Sequence, residues 1–252
     1  MKIAKKCFVI ALLSTLWSAG AQAKENGLLA ETWYYGLNYY AYEEPDIQVT
    51  QKSRLPSITV GYRNHKAIVK KNPNEGSVTA ELAYGLNKYT GSGTLDTSYI
   101  KFLGEFYRPV YEKLYIGMGY RYLLDPSSGK FSSTGAAGYD RESQYFYVPI
   151  GATFDVDTGI LKTQFNYLLV GKQDSSLSDI PGYGNDAKNT QKKGYGLDVS
   201  YAPKSGSWEV YWRYWKIADS DIVNLYSSNG AHIGYGMEPK NTTNEIGVRF
   251  AF

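Results

Sequence analysis

The feature that most constrains this chain is alternation. In "TWYYGLNYYAY", Trp33, Tyr35, Leu37, Tyr39 and Ala41 fall on one parity, and Thr32, Tyr34, Gly36, Asn38 and Tyr40 on the other. Successive side chains of a β-strand point to opposite faces, so a period of two marks a strand with two unlike faces. The pattern returns in "SITVGYR", "VTAELAYGLNKY", "YIKFLGEFY", "LYIGMGYRYLL", "QYFYVPIGATF", "LKTQFNYLLVG", "GYGLDVSYA", "WEVYWRYWK" and "NEIGVRFAF", which makes ten segments. No helical period of any length competes with it.

A strand that is oily on one side and charged on the other suits a soluble sandwich as well as a membrane barrel. The connections separate the two. Counted from the first segment, the odd connections are Glu43 to Leu55, Gly91 to Asp96, Asp125 to Glu142, Gln173 to Gln191 and Ile217 to Thr243. The even ones are tight turns: "NPNEG", "RPVYEK", "DVDTG" and "PKSGS". Long loops at one end and short turns at the other, on an even number of strands, is the asymmetry of an outer-membrane barrel. The expected fold is all-β: a ten-stranded antiparallel transmembrane β-barrel, closed because strands satisfy every backbone group in hydrocarbon only by closing. The 25 tyrosines fit the aromatic girdles of such barrels. Two places resist the pattern. Pro149 falls mid-strand, where a bulge or a water is expected, and "NHKAIVKK" either prolongs the second strand or forms a broad turn, with prolongation the expectation.

The amino-terminal residues indicate the compartment. Lys2, Lys5 and Lys6, an apolar run from Cys7 to Trp17, and small residues ending in Ala21, Gln22 and Ala23 form the layout of a secretory signal peptide. The expected division is residues 1–23 as signal peptide and 24–252 as barrel. Processing removes Cys7, leaving no cysteine for a disulfide, a thiolate nucleophile or a cysteine metal site. It also removes three of the 27 basic residues against 24 acidic ones, so the +3 net charge falls to zero. A nucleic-acid partner thus has no electrostatic support.

Parity sends Arg63, Lys101, Arg121, Lys162, Arg213 and Arg249 inward, with Glu81, Glu105, Asp198, Glu209 and Glu245. Such charges are very costly unless paired, so a hydrogen-bonded ion network in the lumen is expected. Barrels of about eight strands are filled by side chains and those of 16 to 18 leave a channel. A plug is therefore expected, with a narrow solute pore as the alternative.

Chemistry is sparse. His65 belongs near the turn end and His232 in the last long loop, so the two cannot share a site. His232 with Asp219 or Asp221 lacks the paired "DD" and "HD" patterns of outer-membrane proteases, and no serine, base and acid stand at the spacing of an acyl hydrolase. "GSGT" and "SSGKFSS" are turns, since the lysine lacks the following Ser or Thr of a phosphate loop. The expectation is a non-enzymatic barrel with no cofactor and no metal, its loops serving interaction or envelope integrity; a hydrolase at the loop rim is the third alternative. Lys88 and Lys216, outward at the loop ends of their strands, are candidate contacts for lipopolysaccharide phosphates, the competing reading being lysines that snorkel into water. Asp140, Arg141, Tyr183, Tyr226 and Tyr235 are candidate loop contacts, with Asp140, Arg141 and Glu142 read first as a rim ion cluster.

The stretch "YTGSGTLD", with "GMGYRYLLDPSSG" and "GYDRESQYFYVPIG", resembles a group of small outer-membrane, porin-like barrel proteins of Gram-negative bacteria. The resemblance covers Glu81 to Phe154. It implies a barrel in the bacterial outer membrane, hence lipid and lipopolysaccharide as partners. The loop asymmetry puts the long loops extracellular and both termini periplasmic, and Phe252 with Phe250, Val248 and Ile246 at alternate places resembles the terminal signature read by the barrel-assembly machinery. The family resemblance implies no activity and no ligand.

Overall fold

The computed structural model of the protein describes residues 31–252; the expected signal peptide and its cleavage point lie outside the described residues. The strands are β1 (Glu31–Glu44), β2 (Val49–Ser53), β3 (Ser57–Asn64), β4 (Ser77–Gly91), β5 (Gly93–Tyr111), β6 (Leu114–Asp125), β7 (Arg141–Val156), β8 (Gly159–Ser175), β9 (Ala187–Gln191), β10 (Gly194–Pro203), β11 (Trp208–Ile217), β12 (Ile222–Tyr226), β13 (His232–Met237) and β14 (Asn241–Ala251). β2 and β3 both pair β1 and β4, so they are two parts of one stave, and β9 and β10 likewise both pair β8. β12 and β13 form a separate hairpin in the last long loop. Ten antiparallel staves remain, and the last closes on the first, with Tyr35 opposite Phe250 and Leu37 opposite Val248. Closure removes both sheet edges.

The two parities separate as expected. Ile116 and Val210 are 40% and 44% exposed on the outer wall, whereas Arg121 and Glu209 inside are 2% and 3% exposed. The outer wall is aromatic and aliphatic around the whole circumference, from Trp33 and Tyr35 to Phe102, Phe146, Phe165 and Trp212.

Tyrosine is distributed differently from the expectation of two girdles alone. Tyr34, Tyr40, Tyr99, Tyr107, Tyr115 and Tyr147 are buried in the lumen. Several of these rings occupy the space beside an inward glycine of a neighbouring stave. A Cβ at Gly61 would stand 2.4 Å from the Tyr34 ring, at Gly119 2.2 Å from Tyr147, and at Gly151 2.2 Å from Tyr115. The glycines are thus sockets for rings, and a small barrel fills its interior this way without overfilling it.

Two local features differ from the sequence expectation. The residues after β3 do not prolong the strand. They form a one-turn helix, α1 (Lys66–Lys70), that turns into the barrel end and buries Ala67 and Ile68. Ile68 packs with Tyr107 and Tyr115, and the helix is closed by Lys71 in the left-handed region, φ 57°, with the Asn72 N–H donating to the Ala67 carbonyl at 2.9 Å. A continued strand would leave this apolar pair in solvent. At Pro149 the ladder toward β6 lapses between Ile116↔Ile150 and Gly119↔Tyr147. The bulge itself lies on β8, where Leu169 is the extra residue opposite Phe146 and Tyr147. It reverses the parity beyond, so Gly171, Gln173 and Ser175 point inward.

The loops are also shorter than expected, because the ladders continue past the wall. Only Ser92 separates β4 from β5, and β9 extends β8's pairing through Ala187 to Gln191.

Candidate functional site

Eight of the eleven inward charges meet in one continuous network. Glu81 receives Arg249 at 2.6 Å, Arg213 at 3.3 Å and Lys101 at 3.4 Å. Arg249 also reaches Glu209 at 2.5 Å, which Arg63 pairs from the other side. Arg213 bridges Asp198 at 2.7 Å and Glu245 at 3.5 Å, and Glu245 pairs Lys101. Four cations thus face four carboxylates, with Tyr34 and Tyr211 hydroxyls donating to Glu81 and Glu245. Buried charge is tolerated when paired and further hydrogen-bonded, and both conditions hold.

The other three inward charges stand outside this network. Glu105 accepts from Tyr107, from Tyr147 at 2.8 Å and from Gln164 at 2.9 Å, all neutral donors. Lys162 lies 4.5 Å over the Tyr107 ring and 5.3 Å over Tyr115. Arg121 forms no ion pair among the described residues and is held 5.6 Å from the Tyr145 ring and 5.7 Å from Trp215. Parity finds that these groups point inward; it does not distinguish an ionic partner from an aromatic one.

Further buried side chains pack in the lumen beside the network. Toward the loops, Leu103, Tyr145, Tyr147, Leu168, Trp215 and Ile217 form an apolar cluster, and the Tyr40 and Tyr99 rings meet tilted at 4.6 Å in another. Toward the turns, α1 and the Tyr107 and Tyr115 rings form a stopper, with the buried His65 Nε2 at 2.7 Å from the Thr79 hydroxyl. The void beside the network measures about 30 Å³.

The loop end opens instead into a vestibule of about 260 Å³. At its floor the Arg141 Nη2 donates to Glu44 at 2.8 Å, to Glu238 and to the Tyr42 hydroxyl at 3.2 Å. Asp125, also on the wall, accepts from Gln51 at 2.5 Å and Thr97 at 2.6 Å. Burial and the nearby Glu44 charge outweigh Arg141 and hold the Glu238 carboxyl above its ordinary value. Arg141 was foreseeable as part of a rim cluster, but its partners are not Asp140 and Glu142. Asp140 instead accepts from the Ser128 N–H at 2.7 Å. Glu44 and Asp125 continue the inward parities of β1 and β6, a signal hidden by ending those strands too early. Glu238 comes from irregular chain and has no such signal.

The remaining candidates are dispersed. Tyr183 bridges to Ser227, and Tyr226 and Tyr235 flank His232 at ring distances of 5.6 Å and 5.0 Å. Asp219 and Asp221 accept from the backbone of Lys240 and Thr190, both at 2.6 Å, and no ion pair joins His232 to a carboxylate among the described residues. Lys88 and Lys216 are both exposed on the outer wall, four staves apart, so they do not form one site. Lys88 lies opposite Lys52 and Asp96, with the Arg54–Asp96 pair, at 2.5 Å, alongside.

No protein-family model matches the chain, and no curated protein matches it in sequence. Among solved structures, the outer-membrane protease OmpT of Escherichia coli is similar over 88% of this chain and 95% of that one, at 13% identity and a TM-score of 0.50. The chain has the fold of an outer-membrane β-barrel. The β-domain of the Bordetella autotransporter BrkA follows at 12% identity over 88% of this chain and all of that one, TM-score 0.45. An outer-membrane channel of Pseudomonas putida F1 matches at 6% identity over 92% of this chain and all of that one, TM-score 0.41. At these identities the likeness concerns architecture alone.

Proposed function

We propose that the protein is a non-conducting, non-enzymatic anchor in the bacterial outer membrane, its long loops extracellular, its termini periplasmic, and its vestibule and loops an interaction surface. The observation that carries this reading is the filled lumen: an aromatic layer, an ion network and a helical stopper succeed one another along the axis, and the 30 Å³ void between them has room for about one or two waters. Hydrated ions do not pass a column so packed without moving buried charge. The position of His232, caged by two tyrosines and without a carboxylate partner among the described residues, supports a loop role over a hydrolytic one. Purified barrel in a planar bilayer is expected to give no unitary current. Reproducible steps, abolished by altering Arg121 or Glu105, would establish the solute pore instead.

The outward cations support a second element, contact of the loop-side rim with lipopolysaccharide phosphates. Lys88 shares its patch with Lys52 and Arg54, which pair with Glu43 and Asp96, and Lys216 lies on β11, away from that patch. Lys88→Gln with Lys216→Gln is expected to weaken binding to defined lipopolysaccharide; unchanged binding would dispose of this element.

A further inference from the structure

The vestibule contains more negative charge than its own residues neutralise. Glu44, Asp125 and Glu238 line it against the single Arg141. Asp125 is satisfied on both oxygens by Gln51, Thr97 and Ser127. Glu44 and Glu238 are not. Both direct Oε1 at the one Arg141 nitrogen and the Tyr42 hydroxyl, and neither Oε2 accepts a hydrogen bond from any described residue. These side chains are 3% and 7% exposed, and their Oε2 atoms are not occluded, so the free oxygens face the vestibule. A ligand's N–H groups would supply these oxygens with charge-assisted hydrogen bonds.

The rest of the wall defines the body of that ligand. Val49, Leu95, Leu177 and Met237 are apolar, and Tyr89 and Tyr139 add aromatic faces suited to a cation. We infer that the vestibule is a binding site for a small organic cation, a primary amine or guanidinium on an apolar stem, its N–H groups donating to Glu44 and Glu238 and its stem lying against the tyrosines. This deepens the interaction reading above but does not rest on closure of the lumen, because binding at the mouth and current through the barrel are separate measurements.

Protonation provides a second readout. Tyr42 and Glu44 from β1, Arg141 at the start of β7 and Tyr139 just before it face Glu238, with Asp125 of β6 elsewhere on the vestibule wall; the Glu238 carboxyl is raised by burial and by Glu44. An incoming cation binds best to the ionised form, so affinity rises with pH through that titration and binding releases a proton.

The test is calorimetric titration of the folded full-length barrel in detergent with phenethylammonium, agmatine and, as the anionic isostere, phenylacetate. Saturable one-to-one binding of at least one cation is expected, weaker at pH 5 than at pH 8, with phenylacetate silent. Glu238→Gln is expected to lower affinity at least about tenfold. Ala137→Arg, in the half-buried loop wall, introduces a competing cation without touching the ion cluster and is expected to act in the same direction even should Glu238→Gln fail to fold. No saturation by either cation, equal binding of phenylacetate, or affinity unchanged in a folded Ala137→Arg barrel overturns the inference.

Discussion

Glu81→Gln removes one charge from the centre of the lumen and leaves three cations facing a neutral amide. Glu81 is 1% exposed, and Arg249, Arg213 and Lys101 stand 2.6, 3.3 and 3.4 Å from its oxygens. At an effective dielectric of about 20, each unit pair near 3 Å is worth roughly 5 kcal/mol before desolvation. Desolvation returns most of that, and removing one partner of a buried pair costs about 3–5 kcal/mol net. Glutamine keeps an acceptor for Tyr34 and Arg249, so about 3 kcal/mol is expected. In urea unfolding from lipid vesicles, followed by tryptophan fluorescence, the midpoint should fall by about 1–2 M. Adding Lys101→Met removes one stranded cation, so the double variant should be more stable than the sum of the single effects allows. A midpoint shift of Glu81→Gln below about 0.3 M, or strict additivity of the two substitutions, would refute the network as a unit that specifies the closed barrel.

Other consequences are as direct. Gly119→Val places methyl groups inside the Tyr147 ring, whose atoms begin 2.2 Å from an ideal Cβ; a loss of about 1–3 kcal/mol is expected in the same unfolding assay, and full stability would mean the ring has another resting place. Because the Glu238 carboxyl is raised in the folded state, its contribution to stability is fully present below the ordinary glutamate value of about 4.3 and is lost as pH rises through the raised one. Glu238→Gln should therefore remove a decline in stability between those two values; an unchanged pH profile would show that Arg141 compensates both carboxylates.

The wall was legible in the sequence because lipid and lumen impose opposite demands at every second residue. Leu37, Ile116 and Phe250 belong to one solvent and Arg121, Glu209 and Arg249 to the other, so parity alone orients them. It fails where chain geometry breaks the period. The extra residue Leu169 reverses the faces of β8 beyond it, and Ile68 reaches the interior through a helical turn that no alternation announces. Partners are a further step removed. Arg121 and Arg213 have the same parity and charge, yet one rests between aromatic rings and the other among carboxylates. That difference depends on which staves face each other across the lumen, and it is set by closure and register. The vestibule cluster unites β1, β7 and the last long loop, with Arg141 and Glu238 97 positions apart. Only Glu44, Asp125 and Arg141 continue a readable parity there.

The central claim is that the oily parity meets acyl chains and the ionic parity meets the middle of the barrel. The tryptophans test it without foreign labels, since Trp212 is 36% exposed on the outer wall and Trp215, three residues along the same strand, is 1% exposed inside. Single-tryptophan variants retaining one or the other, reconstituted in lipids brominated along the acyl chain, should show strong quenching of Trp212 and little of Trp215. Quenching of Trp215 with protection of Trp212 would contradict the account.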